Sequence, residues 1–129
     1  MEGKFCKESF VVKTHLVLPP YTNTHRTLYG GKLMDFIDDT GSISALRHAR
    51  KHIVTASIDS IDFLHPIHEG NSVCLESFVT YTGRTSMEVF VKVTAEDLLT
   101  GERNVCALSF LTFVALDENG HPVEVPKVI

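Results

Sequence analysis

The first third of the chain holds three features that could serve one reaction, namely Asn23, the glycine pair Gly30 and Gly31, and Asp38. A carboxylate can accept a proton from water or attack an electrophilic carbon, whereas an amide side chain forms hydrogen bonds without titrating. Adjacent glycines let backbone N–H groups approach a ligand, and such donors stabilise the oxyanion that forms when a carbonyl carbon is attacked. These residue types could together promote attack on an acyl carbon.

The glycine pair precedes the one long helix that the sequence predicts, from about Lys32 to about Lys51. This stretch lacks proline, and apolar or small residues recur at helical spacing, at Leu33, Ile37, Gly41, Ser44, Ala45 and His48. At ~100° per residue, Asp38 lies about 80° from the middle of this stripe, whereas Asp35 and Asp39 lie about 140° and 180° away. We therefore expect Asp38 at the edge of the buried face and the other two carboxylates in solvent.

Simpler roles remain open for each feature. The glycines could merely turn the chain, and Asn23 lies in a polar segment where an asparagine often bonds its own backbone. A helix starting near Gly31 would nevertheless present unpaired N–H groups and the positive end of its dipole beside the glycines. His25 is close to Asn23, but no GxSxG motif supplies a nucleophile for a His-Asp dyad, so we expect at most an indirect role for it.

The remaining sequence predicts a sheet. Alternating apolar residues, or apolar runs bounded by turn-forming residues, are typical of strands, and five such segments occur, at residues 10–18, 53–64, 71–81, 86–96 and 103–116. One strand, one helix and four strands joined by short turns indicate an α+β fold with an antiparallel sheet. The last segment is apolar on both faces, which predicts a central or covered strand. Because a sheet edge and a sheet face would stay uncovered, we expect a dimer.

Length, charge and cysteine content limit the class of protein. The 129 residues suit one domain, and no run of about 18 apolar residues could span a membrane. The net charge of −4 argues against a nucleic-acid-binding protein, which needs a basic face to neutralise phosphates. Three cysteines without a CxxC pair, and a start without an apolar signal-peptide core, favour a cytoplasmic protein with reduced thiols.

Three motifs resemble the acyl-CoA thioesterases of the hot-dog superfamily, in order and in spacing. They are NTHRTLYGGKLMDFIDD at residues 23–39, VTASIDSIDFLHPI at residues 54–67 and GRTSMEV at residues 83–89. The resemblance covers nearly the whole chain, so we expect one thioesterase domain at residues 7–125 and a short tail at residues 126–129. It implies an antiparallel five-stranded sheet wrapped around one long central helix. It also implies dimers paired sheet edge to sheet edge, commonly assembled as trimers of dimers, with acyl-CoA along the dimer interface.

The resemblance also implies roles for individual residues. Asp38 occupies the position of the family's catalytic carboxylate, seven residues after Gly31. Asn23 occupies the position of the family's catalytic asparagine. Asp38 is expected to activate water or to attack the thioester itself, while Asn23 positions water or the thioester and the Gly31 region stabilises the oxyanion. The expected coenzyme A contacts are Gly30, Gly83, Arg84, Thr85 and Ser86, with Arg84 pairing with a phosphate.

Two other functions compete with hydrolysis of acyl-CoA to a fatty acid and coenzyme A. One is a hot-dog hydratase or dehydratase, which would need a histidine paired with a carboxylate. The other is a non-catalytic acyl-CoA-binding module, since a fold does not fix a function. We expect no metal, because His48 and His52 lie among basic residues near the helix end and His65 and His68 lack further ligands. No cofactor is expected beyond the coenzyme A of the substrate.

Overall fold

The computed structural model describes all residues 1–129 and has one long helix and five strands. The strands are β1 (Val11–Leu16), β2 (His52–Phe63), β3 (Ser72–Thr82), β4 (Ser86–Glu96) and β5 (Arg103–Leu116), and the helix is α1 (Gly30–Ala49). Two short 3-10 helices occupy Cys6–Ser9 and Pro19–Tyr21. The number and order of the elements agree with the sequence prediction.

The ends of four elements, β1, β2, β3 and α1, differ from the predicted ones by one or two residues. β1 stops at Leu16 rather than Leu18, because the chain turns into the 3-10 helix that begins at Pro19. α1 ends at Ala49, before the predicted Lys51, where Arg50 adopts a left-handed conformation with φ 53°. The Arg50 N–H donates to the Leu46 carbonyl, which closes the last turn of the helix.

The sheet has the strand order β1-β3-β4-β5-β2, and every neighbouring pair is antiparallel. β5 therefore lies between β4 and β2, which confirms the central position predicted from its two apolar faces. β1 and β2 form the two edges. The fold class is thus the predicted α+β arrangement, with one antiparallel five-stranded sheet around one helix.

The core lies between α1 and the concave face of the sheet. β4 alternates as predicted, and its residues Val89, Val91 and Val93 are fully buried. All six residues of the predicted helical stripe are buried as well. A buried hydrogen bond between the hydroxyls of Ser44 and Ser77 joins the helix to β3. The stripe therefore fixes the rotation of α1, and with it the direction in which Asp38 points.

Parts of the sheet and of the helix stay uncovered in one chain. β2 is exposed along most of its length, and its outer edge has no paired strand. On α1, Met34 and Leu46 remain about two-fifths exposed, at 40% and 42%. One sheet covers only one side of a helix, so these apolar side chains remain exposed on the other side.

The two ends of the chain meet near the end of α1. The Lys4 N–H donates to the Lys127 carbonyl at 2.8 Å, and Lys4 pairs with Val128 in a parallel bridge. The buried His48 ring bonds the Pro126 carbonyl at 2.6 Å. Residues 126–129 are therefore tied to the rest of the fold, while the predicted domain boundary at residue 125 stays a prediction. No helix combines the length with the apolar character that crossing a membrane would require.

Candidate active site

The first turn of α1 carries two free backbone donors. The Lys32 and Leu33 N–H groups donate to the Tyr29 carbonyl, each at 3.1 Å, but the N–H groups of Gly30 and Gly31 have no acceptor. Tyr29, the residue before the helix, provides no side-chain cap. Two unpaired N–H groups at the positive end of a 20-residue helix can stabilise an oxyanion.

Asp38 lies in a cavity of about 610 Å³ between α1 and β2. The residues that line it are Tyr29, Gly31, Lys32, Met34, Asp35, Asp38, Thr55 and Ile58. The Asp38 side chain is half-buried at the edge of the helical stripe, as predicted. The cavity therefore brings a carboxylate and the glycine at the helix start to one surface.

Thr55 on β2 holds the carboxylate in place. Its hydroxyl donates a hydrogen bond to Asp38 Oδ1 at 2.8 Å, and Asp38 Oδ2 has no partner. One oxygen of the carboxylate is therefore anchored, while the other is free to accept a proton or to attack a carbon. The sequence analysis included Thr55 in a family-like motif but gave it no role, because nothing local shows that it meets a residue on the helix.

The neighbouring carboxylates are already paired with lysines. Asp35 lines the same cavity but forms an ion pair with Lys32 at 3.3 Å. Asp39 pairs with Lys13 on β1. Both are exposed, as the helical wheel predicted. Of the three aspartates on this part of α1, only Asp38 has no lysine partner, and it is the one that Thr55 anchors.

Asn23 does not line this cavity in the single chain. Its Oδ1 accepts hydrogen bonds from the N–H groups of His25 at 2.9 Å and Thr27 at 3.1 Å, and its Nδ2 donates to the Thr27 hydroxyl at 2.9 Å. These contacts match the simpler interpretation, in which Asn23 shapes its own loop. The loop is exposed, so a catalytic role for Asn23 requires that its loop meets an Asp38 cavity across a subunit boundary.

The segment from Gly83 to Ser86 forms the turn between β3 and β4, away from Gly31. The Gly83 N–H donates to the Ser86 carbonyl at 2.9 Å, and the carbonyls of Arg84 and Thr85 accept from Val125 and Ala115. Ala115 pairs with Ile53 at the start of β2, which places the turn near the C-terminal end of α1. None of the residues from Gly83 to Ser86 lines the Asp38 cavity of the same chain. Gly30, the other predicted coenzyme A contact, lines a second and mainly apolar cavity.

The histidines take no part in the Asp38 cavity. His25 is exposed, and only its backbone N–H contacts Asn23. No group of three or more histidine, cysteine, aspartate or glutamate side chains is arranged to hold a metal ion. The polar side chains of the cavity are therefore the Asp38 carboxylate with its Thr55 hydroxyl, the Lys32–Asp35 ion pair and the Tyr29 phenol.

Comparison with known proteins adds to this geometry. The family model for the thioesterase superfamily matches residues 25–102. The chain is 65% identical to an uncharacterized acyl-CoA thioester hydrolase of Bacillus subtilis, over 99% of this chain and 74% of the relative. These matches, together with the fold and the carboxylate in the α1 cavity, identify the class of protein as an acyl-CoA thioester hydrolase. The chain belongs to the thioesterase superfamily.

Two solved structures are very similar to this chain. An apo-hexameric acyl-CoA thioesterase superposes with a TM-score of 0.98 at 48% identity, covering 100% of this chain and 83% of that one. An acyl-CoA hydrolase from Staphylococcus aureus, solved with butyryl coenzyme A, has a TM-score of 0.94 at 44% identity and covers 98% of this chain and 77% of that one. Mutants of the Staphylococcus aureus enzyme replace an asparagine, an aspartate and a threonine by alanine, at the spacing that separates Asn23, Asp38 and Thr55 here.

Proposed function

We propose that this chain hydrolyses acyl-CoA to a fatty acid and coenzyme A, with Asp38 as the catalytic carboxylate. The observation that carries the proposal is the anchored carboxylate: Thr55 fixes one oxygen of Asp38, and the other faces a cavity bordered by Gly31. The free N–H groups of Gly30 and Gly31 lie at the start of the same helix. Gly31 and Asp38 line one cavity along the first turns of α1, so groups for oxyanion stabilisation and nucleophile activation are available on one helix.

The reaction runs in two steps at the thioester carbon. Asp38 removes a proton from water as the water oxygen bonds to that carbon, and the carbonyl oxygen becomes an oxyanion held by the glycine N–H groups. The intermediate then re-forms the carbonyl and expels the coenzyme A thiolate, and Asp38 returns the proton. Direct attack by Oδ2 would instead give a mixed anhydride that water hydrolyses to the same products. General base catalysis of this kind is worth typically about 10²–10⁴ in rate.

Asn23 enters the site from a second copy of the chain in this proposal. Its loop is exposed and lies outside the Asp38 cavity of its own chain, while β2 offers a long unpaired edge for dimerisation. One relative of known structure is hexameric, which supports a homodimer and a trimer of dimers here as well. An amide that reaches across such an interface can hold the attacking water or the thioester without titrating.

A mixing experiment tests this shared site. Asp38→Ala and Asn23→Ala chains are each expected to be inactive alone. After they are unfolded together and refolded at equal amounts, half of the dimers carry both chains, and each mixed dimer has one intact site. We expect recovery of about a quarter of wild-type activity. Recovery of no activity from correctly assembled mixtures would place both residues in one subunit's site, and full activity of Asn23→Ala alone would remove Asn23 from the mechanism.

The turn from Gly83 to Ser86 is proposed to bind coenzyme A, supplied by a neighbouring subunit. Arg84 is exposed and forms no ion pair, so its guanidinium is free to pair with a phosphate. Gly83 is confined by its own turn, since an added Cβ would lie 2.6 Å from Ser86 Oγ. Thr85 and Ser86 can donate from the same turn. With Gly30 these residues form the proposed coenzyme A contacts.

The competing functions have less support. A hydratase or dehydratase would need a histidine beside the carboxylate, and no histidine lines the Asp38 cavity. A binding module would not need a carboxylate with one oxygen anchored and one free. We further propose that the enzyme works without metal or added cofactor, binds no nucleic acid, and has its thioesterase domain at residues 7–125. Its three cysteines are free, which fits a reducing cytoplasm.

Replacing Asp38 tests the catalytic proposal directly. We expect Asp38→Ala to lose at least about 10²-fold in thiol release from acyl-CoA, while coenzyme A binding by calorimetry and the assembly state stay unchanged. Asp35→Ala is the matched control, because Asp35 lines the same cavity but is paired with Lys32. Asp35→Ala should keep activity within a few-fold. Equal turnover by wild type and Asp38→Ala would exclude Asp38, and absence of thiol release from wild type with any acyl-CoA would exclude the thioesterase.

A further inference from the structure

A second cavity opens at the helix start, on the other side of the glycine pair from Asp38. Its volume is about 240 Å³, and it is lined mainly by apolar residues, namely Leu28, Leu33, Phe63, Leu64, Pro66 and Ile67, together with Gly30 and His65. Gly30 belongs to this cavity, whereas Gly31 belongs to the cavity of Asp38. The two free N–H groups therefore stand between a polar cavity and an apolar one.

We propose that this apolar cavity receives the acyl chain of the substrate and that Leu64 at its rim limits the chain length. The inference rests on the proposed function, because it assumes that the thioester carbon lies at the N–H groups of Gly30 and Gly31. A thioester held there has its attacking water on the side of Asp38. The acyl chain can then extend past Gly30, where nothing lies within 4 Å of an added Cβ.

The walls of the cavity differ between its floor and its rim. Leu28, Leu33 and Ile67 form the floor and are 8%, 4% and 3% exposed, so they belong to the protein core. The Leu28 N–H donates to the Ile67 carbonyl at 2.7 Å, which fixes the two floor residues relative to each other. Phe63 and Leu64 form the rim and are 59% and 48% exposed. The cavity is thus closed at its floor by core residues and open to solvent at its rim.

The size and the chemistry of the lining define the class of acyl group. A volume of 240 Å³ holds about eight groups of the size of a water molecule or a methylene, so short and medium-length chains fit. No lysine, arginine or carboxylate lines the cavity, so it offers no partner for an acyl group that ends in a carboxylate. Each methylene buried there should raise kcat/KM about fourfold until the floor is reached.

The test is the dependence of kcat/KM on acyl-chain length, from acetyl-CoA to palmitoyl-CoA. For wild type we expect a rise up to about eight carbons and no further rise beyond. Leu64→Trp should fill the rim and lower kcat/KM for octanoyl-CoA at least about tenfold relative to acetyl-CoA. Leu64→Ala should widen the rim and favour longer chains. Leu99→Trp is the matched control, since Leu99 is 98% exposed in the turn between β4 and β5 and lines neither cavity.

The outcomes separate this inference from the proposed function. Chain-length profiles that are the same in wild type, Leu64→Trp and Leu64→Ala, with thiol still released, would overturn the inference and leave the thioesterase intact. Loss of assembly in Leu64→Trp, measured by light scattering, together with an unchanged profile in Leu64→Ala, would assign the rim to a subunit interface and also overturn it. A changed profile in Leu64→Trp with the profile of Leu99→Trp unchanged would support it.

Discussion

Replacing Thr55 by valine removes the hydroxyl that donates to Asp38 and keeps the β-branched shape of the side chain. The hydrogen bond is 2.8 Å long and joins a hydroxyl to a charged oxygen, a type worth about 1.5–3 kcal/mol. Because Thr55 is exposed and Asp38 only half-buried in the single chain, the lower part of that range applies. We expect kcat to fall about 10- to 30-fold, because the carboxylate can then turn away from the attacking water.

The assay is steady-state thiol release with kcat and KM measured separately. A positioning residue should affect kcat, leave KM for acyl-CoA nearly unchanged, and allow Thr55→Ser to restore most of the activity. Thr112→Val is the matched control, because the Thr112 hydroxyl donates to the Asp59 carboxylate at 2.6 Å outside the cavity. Bonds from Ser57 and Thr112 lower the pKa of Asp59, which illustrates how such donors stabilise a carboxylate.

The refuting result is a Thr55→Val enzyme with wild-type kcat. The Asp38 carboxylate would then need no anchor, and the reasoning that identifies it from its hydrogen bond with Thr55 would fail. Equal losses in Thr55→Val and Thr112→Val would also refute the argument, because the effect would belong to the sheet and not to the cavity.

Two further predictions concern Asn23 and pH. Asn23→Asp keeps the oxygen that accepts hydrogen bonds from His25 and Thr27 but loses the amide donor. We therefore expect an unchanged thermal unfolding temperature, because the loop stays intact, and about a 10²-fold loss of activity. Full activity would leave Asn23 as a loop-forming residue only. His15 stacks on Phe36 at 4.3 Å, and burial lowers its pKa from 6.5, aided by Lys13 and Lys32 and opposed by Asp39. The unfolded chain therefore binds the proton more tightly, so the stability contributed by neutral His15 is present above pH 6.5 and is lost as pH falls toward the lowered pKa. His15→Phe should flatten this dependence in urea unfolding, and an unchanged slope below pH 6.5 would contradict the assignment.

Much of the fold could be predicted because the relevant signals are local. The alternation from Met87 to Ala95 identifies β4 and its buried face, since side chains of a strand point alternately to its two sides. The stripe from Leu33 to His48 likewise fixed which face of α1 is buried. From that face alone, the helical wheel separated Asp38 from Asp35 and Asp39. The residues of both elements carry this information without reference to their partners.

The arrangement of the site depended on contacts between distant segments. Thr55 meets Asp38 because β2 lies at the sheet edge beside α1, and neither residue's neighbours in the chain encode that contact. The separation of two cavities by Gly30 and Gly31 likewise depends on how residues 63–67 cross the helix start. Periodicity is a property of one segment, whereas these contacts are set by strand order and register. The sequence alone therefore determined the elements and the candidate carboxylate, and only the tertiary structure decided which side chains surround it.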